Sequence, residues 1–149
     1  QEQIIVAVAV SQNASDAEQL IGMTDAVQRN CKAAPARVLA DAGYKSEANF
    51  LTLEARKIDA CVALGRGENL PEDVSAAKPA TRRMARKLRS ERGRAHYKRR
   101  KAIVEPVFGW AKQVLGFRSF LMRGLRKVRG EWNLVCLALN LRRMNTKLA

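Results

Sequence analysis

Two carboxylates stand where they could do chemistry. Asp41 follows the apolar run Val38-Leu39-Ala40 and precedes Ala42-Gly43-Tyr44. In layered α/β folds the carboxyl ends of strands open away from a rigid sheet, and ligands and catalytic groups collect there. An aspartate at such an end suits a metal ion; the competing reading is a turn made with Gly43 that caps the next helix. Glu105 is one of three acids in residues 78–149, and it sits in an apolar run flanked by Tyr97, Arg99, Arg100, Lys101 and Lys112. Hard divalent cations such as Mg²⁺ take one or two carboxylates and complete their shell with water and phosphate. Two of them can activate an attacking hydroxyl and stabilise a leaving oxygen at phosphorus. The competing reading of Glu105 is an ion pair with Lys101, four residues earlier on a helix.

On one continuous helix Tyr97, Lys101, Glu105, Phe108 and Lys112 would share a face. Pro106 argues against continuity: the residue before a proline avoids helical geometry, and proline favours a helix start. The reading therefore sets Glu105 at a kink or a helix start. His96 is the single histidine, so no histidine pair can hold a metal or assist Tyr97 as a nucleophile, and it reads as a surface residue. Cys31, Cys61 and Cys136 have neither the number nor the spacing of a disulfide framework or a zinc site and read as reduced core residues.

Charge is distributed unevenly. The net charge is +14, yet residues 1–77 hold 7 Lys/Arg against 11 Asp/Glu, while residues 78–149 hold 21 against 3. A polycation of that density draws in phosphate backbones and releases their counterions, making binding salt-dependent. The plainer reading is a solvated face, but the excess is larger than solubility asks for. No apolar run approaches the roughly 20 residues of a membrane span, and the sequence reads as soluble and cytoplasmic.

The elements that must position these residues alternate. Residues 4–10 (IIVAVAV) read as a strand buried on both faces. Ser15 and Glu18 form a capping-box pattern ahead of a helix with Leu20, Ile21, Met23, Thr24, Val27 and Gln28 on its stripe. Residues 38–40 read as a short strand, 46–57 as a helix with Phe50, Leu51 and Leu53 inward, and 60–64 as a third strand. Residues 65–80 read as a linker, and 81–100 as a basic surface helix laying Met84 and Leu88 on a partner. A helix over 103–115 stops at Gly116, and a long one from Leu125 carries Val128, Trp132, Val135, Cys136, Leu139 and Met144 on one side. The fold class is α/β with a parallel component, followed by C-terminal helices.

Three stretches taken together resemble a known family: 38–44 (VLADAGY), 97–112 (YKRRKAIVEPVFGWAK), and Gly116-Phe117-Arg118 with Arg123-Gly124-Leu125. They are similar to the C-terminal part of the catalytic domain of bacterial insertion-sequence transposases of the DDE type, and the resemblance covers nearly the whole chain. It implies a ribonuclease H-like fold, here the strands from the later half of the sheet. It also implies three acids holding two Mg²⁺ (or Mn²⁺) ions for cleavage and strand transfer of DNA. Asp41 matches the second acid and Glu105 the third, and both would be metal ligands. Lys112, seven residues after Glu105, matches the lysine of the Tyr-Arg-Glu-Lys signature. The signature's arginine and tyrosine fall on Lys101 and Lys98, so Arg100 and Tyr97 are displaced by one position; either Arg100 or Lys101 supplies the cation.

No residue matches the first acid, and Asp16 reads as a helix-end charge. The resemblance thus predicts one catalytic domain over 1–149, incomplete at its N-terminus and inactive by itself, with 81–149 as a basic helical part. Its partners would be transposon ends and target DNA, with a homodimer as one form of the DNA complex. The cellular place would be the bacterial cytoplasm and nucleoid. The rival reading is a non-catalytic nucleic-acid-binding protein whose carboxylates are structural.

Overall fold

In the computed structural model, residues 3–65 and 77–148 are described, the side chains of Lys101, Lys147 and Leu148 excepted. The order is α1 (Gln19–Cys31), β1 (Arg37–Ala40), α2 (Glu47–Ala55), β2 (Asp59–Val62), α3 (Pro79–Arg89), α4 (Glu91–Gln113) and α5 (Leu125–Leu148). Short 3-10 turns at Asp16–Glu18 and Ala42–Tyr44 precede α1 and α2. Contacts group the chain into a sheet unit, Ala14–Arg100, and a helical unit formed by Gln1–Asn13 with Lys101–Ala149.

The sheet unit is built on β1 and β2, which pair in parallel with Arg37 opposite Asp59 and Ala40 opposite Val62. Their connection is α2, as a parallel crossover requires. Ser46 starts α2 by accepting a hydrogen bond from Asn49 N at 3.0 Å. Phe50 and Leu53 point inward, while Leu51, expected beside them, is 49% exposed. α2 and α3 both pack on β2, and α1 packs on α2. Phe50, Leu53, Cys61 and Val62 are the largest fully buried side chains. Each such apolar side chain contributes about 1.5–3 kcal/mol relative to an exposed one.

The expected linker 65–80 falls largely on residues 66–76, which lie outside the described residues. Its last two residues belong to α3, where Pro79 occupies the first turn and has no N–H to leave unsatisfied. The carboxylate of Glu47 caps that turn, accepting from Ala80 N at 2.7 Å and Thr81 N at 2.9 Å. The single surface helix expected over 81–100 is instead α3 and the start of α4. Ser90 joins them: its hydroxyl donates to Lys87 O at 2.6 Å and accepts from Gly93 N at 3.0 Å. A Cβ on Gly93 would lie 1.9 Å from Lys87 O, so only glycine permits this junction. Met84 and Leu88 do lie on a partner, but that partner is the chain's own core, where Ala80 and Ala85 join them.

Residues 4–10 carry no strand ladder. β-branched composition favours a strand only where a neighbouring edge can pair with it, and the described residues of the helical unit contain no strand. The Asn140 side chain substitutes at one position, accepting from Ile5 N and donating to Ile5 O, both at 2.8 Å. Val6 is 41% exposed, so the expected burial on both faces is not found. The capping box at Ser15 is also not found, because Ser15 makes no side-chain cap bond and α1 begins only at Gln19.

α4 runs through Pro106, so Glu105 lies within a helix and not at its start. Proline cannot donate to the carbonyl four residues earlier, which leaves Ala102 O short of a partner. Gln3 Nε2 supplies one at 2.8 Å. Cys61 and Cys136 are buried as expected, but Cys31 is exposed. On α5, Cys136 and Leu139 are buried and Met144 is 53% exposed, off the expected stripe. No helix among the described residues is long and apolar enough to cross a membrane.

Candidate functional site

β1 ends at Ala40, and Asp41 is the first residue beyond it. Its Oδ1 accepts from Gly43 N at 3.0 Å, which makes the turn Ala42–Tyr44. The turn reading of Asp41 is therefore realised, yet it occupies only one carboxylate oxygen. The side chain remains 52% exposed, and Arg100 Nη1 lies 4.0 Å from Oδ2. Arg100 in turn lies over the Tyr97 ring, 5.5 Å from its centroid, while Tyr97 packs against the core. Arg100 Nε is buried and has no hydrogen-bond partner among the described residues. Three of the residues singled out from sequence, Asp41, Tyr97 and Arg100, are thus gathered at the carboxyl end of β1.

Asp16 joins this group, which the sequence reading did not foresee. A Cβ at Gly43 would lie 3.1 Å from Asp16 Oδ2 and 3.2 Å from Asp41 Oδ1, so the two carboxylates flank one glycine. The cause is Asn49, a buried polar residue whose Nδ2 donates to Ala17 O at 2.7 Å and to Tyr44 O at 3.0 Å. One amide thereby ties the two 3-10 turns together, each of which carries an aspartate at its start. Asp16 is a first-turn charge, as expected, but it also faces the candidate site. The Tyr44 phenol is held above its ordinary 10.0 by burial, then by the charges of Asp16 and Asp41.

In the helical unit, Glu105 and Lys112 are exposed on α4, seven residues apart and so on one side of the helix. Phe108, between them, stacks on Trp132 with centroids 6.1 Å apart. The side chain of Lys101 lies outside the described residues, and with it both the competing reading of Glu105 as its ion-pair partner and the reading of Lys101 as the signature cation. Among the described residues no group of three or more His, Cys, Asp or Glu is gathered to hold a metal.

A parallel α/β pair ending in an open aspartate, followed by basic helices that carry a second acid, suits a domain that acts on phosphate esters. The family model of the transposase DDE domain matches residues 1–141, and the chain belongs to that family. No curated protein and no solved structure matches it.

Proposed function

We infer that this domain serves DNA cleavage and strand transfer, with Asp41 and Glu105 as two of the acids that hold divalent cations and a ribonuclease H-like sheet as their support. The observation that carries this reading is Asp41 at the open end of a parallel strand, with Arg100 propped on Tyr97 beside it. The donors fit Mg²⁺ or Mn²⁺: Asp41 has an exposed carboxylate with one oxygen uncommitted to the backbone, and Glu105 is exposed on its helix. When bound, the metal pair supplies activation of the attacking hydroxyl and stabilisation of the leaving oxygen.

The chain's own residues do the rest. Arg100 presents a guanidinium that can accompany Asp41 or turn to a phosphate oxygen, and the Tyr97 ring limits where it can go. Its distance to Asp41 is what supports Arg100 as the signature cation. Lys112 adds a point charge for a phosphate on the Glu105 side of α4. The first acid has no matched residue in this stretch, so 1–149 alone is expected to bind DNA without cutting it.

The test uses the full-length transposase on its end sequences with Mg²⁺. Asp41→Asn and Glu105→Gln should each reduce cleavage to background while leaving DNA binding in place. Cleavage that survives Asp41→Asn overturns the assignment.

A further inference from the structure

His96 lies half-buried in the sheet unit, between two guanidinium groups. Arg37 of β1 places Nη1 3.1 Å from its Nδ1, and Arg92, one turn earlier on α4, places Nε 3.4 Å from its Nε2. A guanidinium only donates, whereas a neutral imidazole has one donor and one acceptor. In either tautomer, one ring nitrogen therefore turns an N–H toward another donor, and a protonated ring would do so twice. The charges around the ring have the same imbalance. Arg37 and Arg92 face it, Arg99 adds to them, and among the described residues the opposing carboxylate is Asp59 of β2. Asp59 is already committed, since it accepts from Arg37 Nε at 2.7 Å and from Lys87 of α3.

We propose that Arg37, Arg92 and His96 form a binding site for one phosphodiester of a DNA backbone, whose oxygens accept from Arg92 and from the imidazole N–H that now faces it. A phosphate there converts a donor–donor contact into two charge-assisted hydrogen bonds and supplies the negative charge the cluster lacks. Arg99 acts on the same ring, and Arg86, Arg89 and Lys98 are further exposed cations of α3 and α4, which a chain of phosphates can use and a single free anion cannot. The proposal rests on the reading of the domain as DNA-acting, but not on the carboxylate site.

Solvent loss around the ring, then repulsion from Arg37 and Arg92, holds the imidazole below its ordinary 6.5 in the free protein. A bound phosphate reverses the sign of that field, so the ring's pKa rises on binding and affinity grows as pH falls through it. Because His96 is the only histidine, its ring resonances report on this site alone. We would titrate them by NMR in the whole chain, free, with a double-stranded oligonucleotide, and with inorganic phosphate at the same phosphate concentration.

An upward shift with the oligonucleotide and a much smaller one with phosphate is expected. Equal shifts overturn the DNA assignment in favour of a free-anion site. No shift while the oligonucleotide is bound overturns the site and leaves the transposase reading standing, whereas a chain that binds no DNA removes both. Arg92→Gln, an exposed position, should reduce the slope of log affinity against log salt by about one. An unchanged slope counts against the site.

Discussion

The two units use similar apolar helices to different ends. In the sheet unit Phe50, Leu53, Cys61 and Val62 are 1% exposed or less, and among its described residues Leu51 is the one large hydrophobic that is exposed. In the helical unit the buried apolar residues among those described are Ala111, Cys136 and Leu139. Leu134, Leu137, Leu141 and Met144, spaced along one side of α5, are 52–67% exposed. Apolar periodicity marks a helix, but it does not say whether that helix has a surface to bury its stripe against. Even two paired strands, covered by α2 and α3, provide such a surface.

The largest expected effects separate the units directly. Phe50→Ala should cost about 3–5 kcal/mol of stability, as truncating a buried aromatic does. Leu137→Ser should stay within about 0.5 kcal/mol, as an exposed substitution does. Urea unfolding measures both. The spectroscopic probes divide in the same way, since Tyr44 and Tyr97 lie in the sheet unit and Trp110 and Trp132 in the helical one. Equal losses from the two substitutions would end the contrast.

Acid should sharpen it. Lys87 first, and then Arg37, hold the Asp59 carboxyl at about 2 instead of 3.8. Because the folded value is depressed, the stabilisation is complete above the unfolded pKa and is lost as pH falls from about 4 through about 2. Asp59 is 29% exposed and Lys87 37%, so solvent screening leaves about 1–2 kcal/mol of this pair. Asp59→Asn should remove that amount at neutral pH and flatten the acid limb. In the unsubstituted protein the tyrosine signal should change before the tryptophan signal as pH falls; a simultaneous change would show that the units do not respond separately.

Much of the sheet unit was legible because its cues are local. An apolar triplet before Asp41, Phe50 and Leu53 on one face of 46–57, and 60–64 as an apolar run all point to the elements found. The cues for α3 were local too, but Met84 and Leu88 looked too few for a core because the alanines at 80 and 85 were not counted with them. What was not legible depends on distant partners. Pro106 reads as a break until Gln3, 99 residues from Ala102, satisfies the carbonyl that proline leaves open. Residues 4–10 read as a strand on composition alone, although a strand is a property of two segments. At the candidate site, Asp41 and Glu105 stood out by position and rarity, whereas Asp16 came to Asp41 only through the two bonds of Asn49.

That last juxtaposition carries the smallest prediction, again within the sheet unit. Tyr44 feels burial most, then Asp16, then Asp41, and all three favour the neutral phenol. Asp16→Asn should therefore move the Tyr44 pKa down, and Asp41→Asn should move it down by less. In both variants it should remain above 10.0, because burial persists. Ultraviolet difference absorbance reads this directly, with Tyr97 as the other tyrosine and Tyr97→Phe as the control that isolates Tyr44. The order of the two shifts is the informative part. If Asp41→Asn had the larger effect, Asp16 would lie farther from the turn than the Gly43 geometry places it, and Asn49 would not be what brings the two carboxylates together.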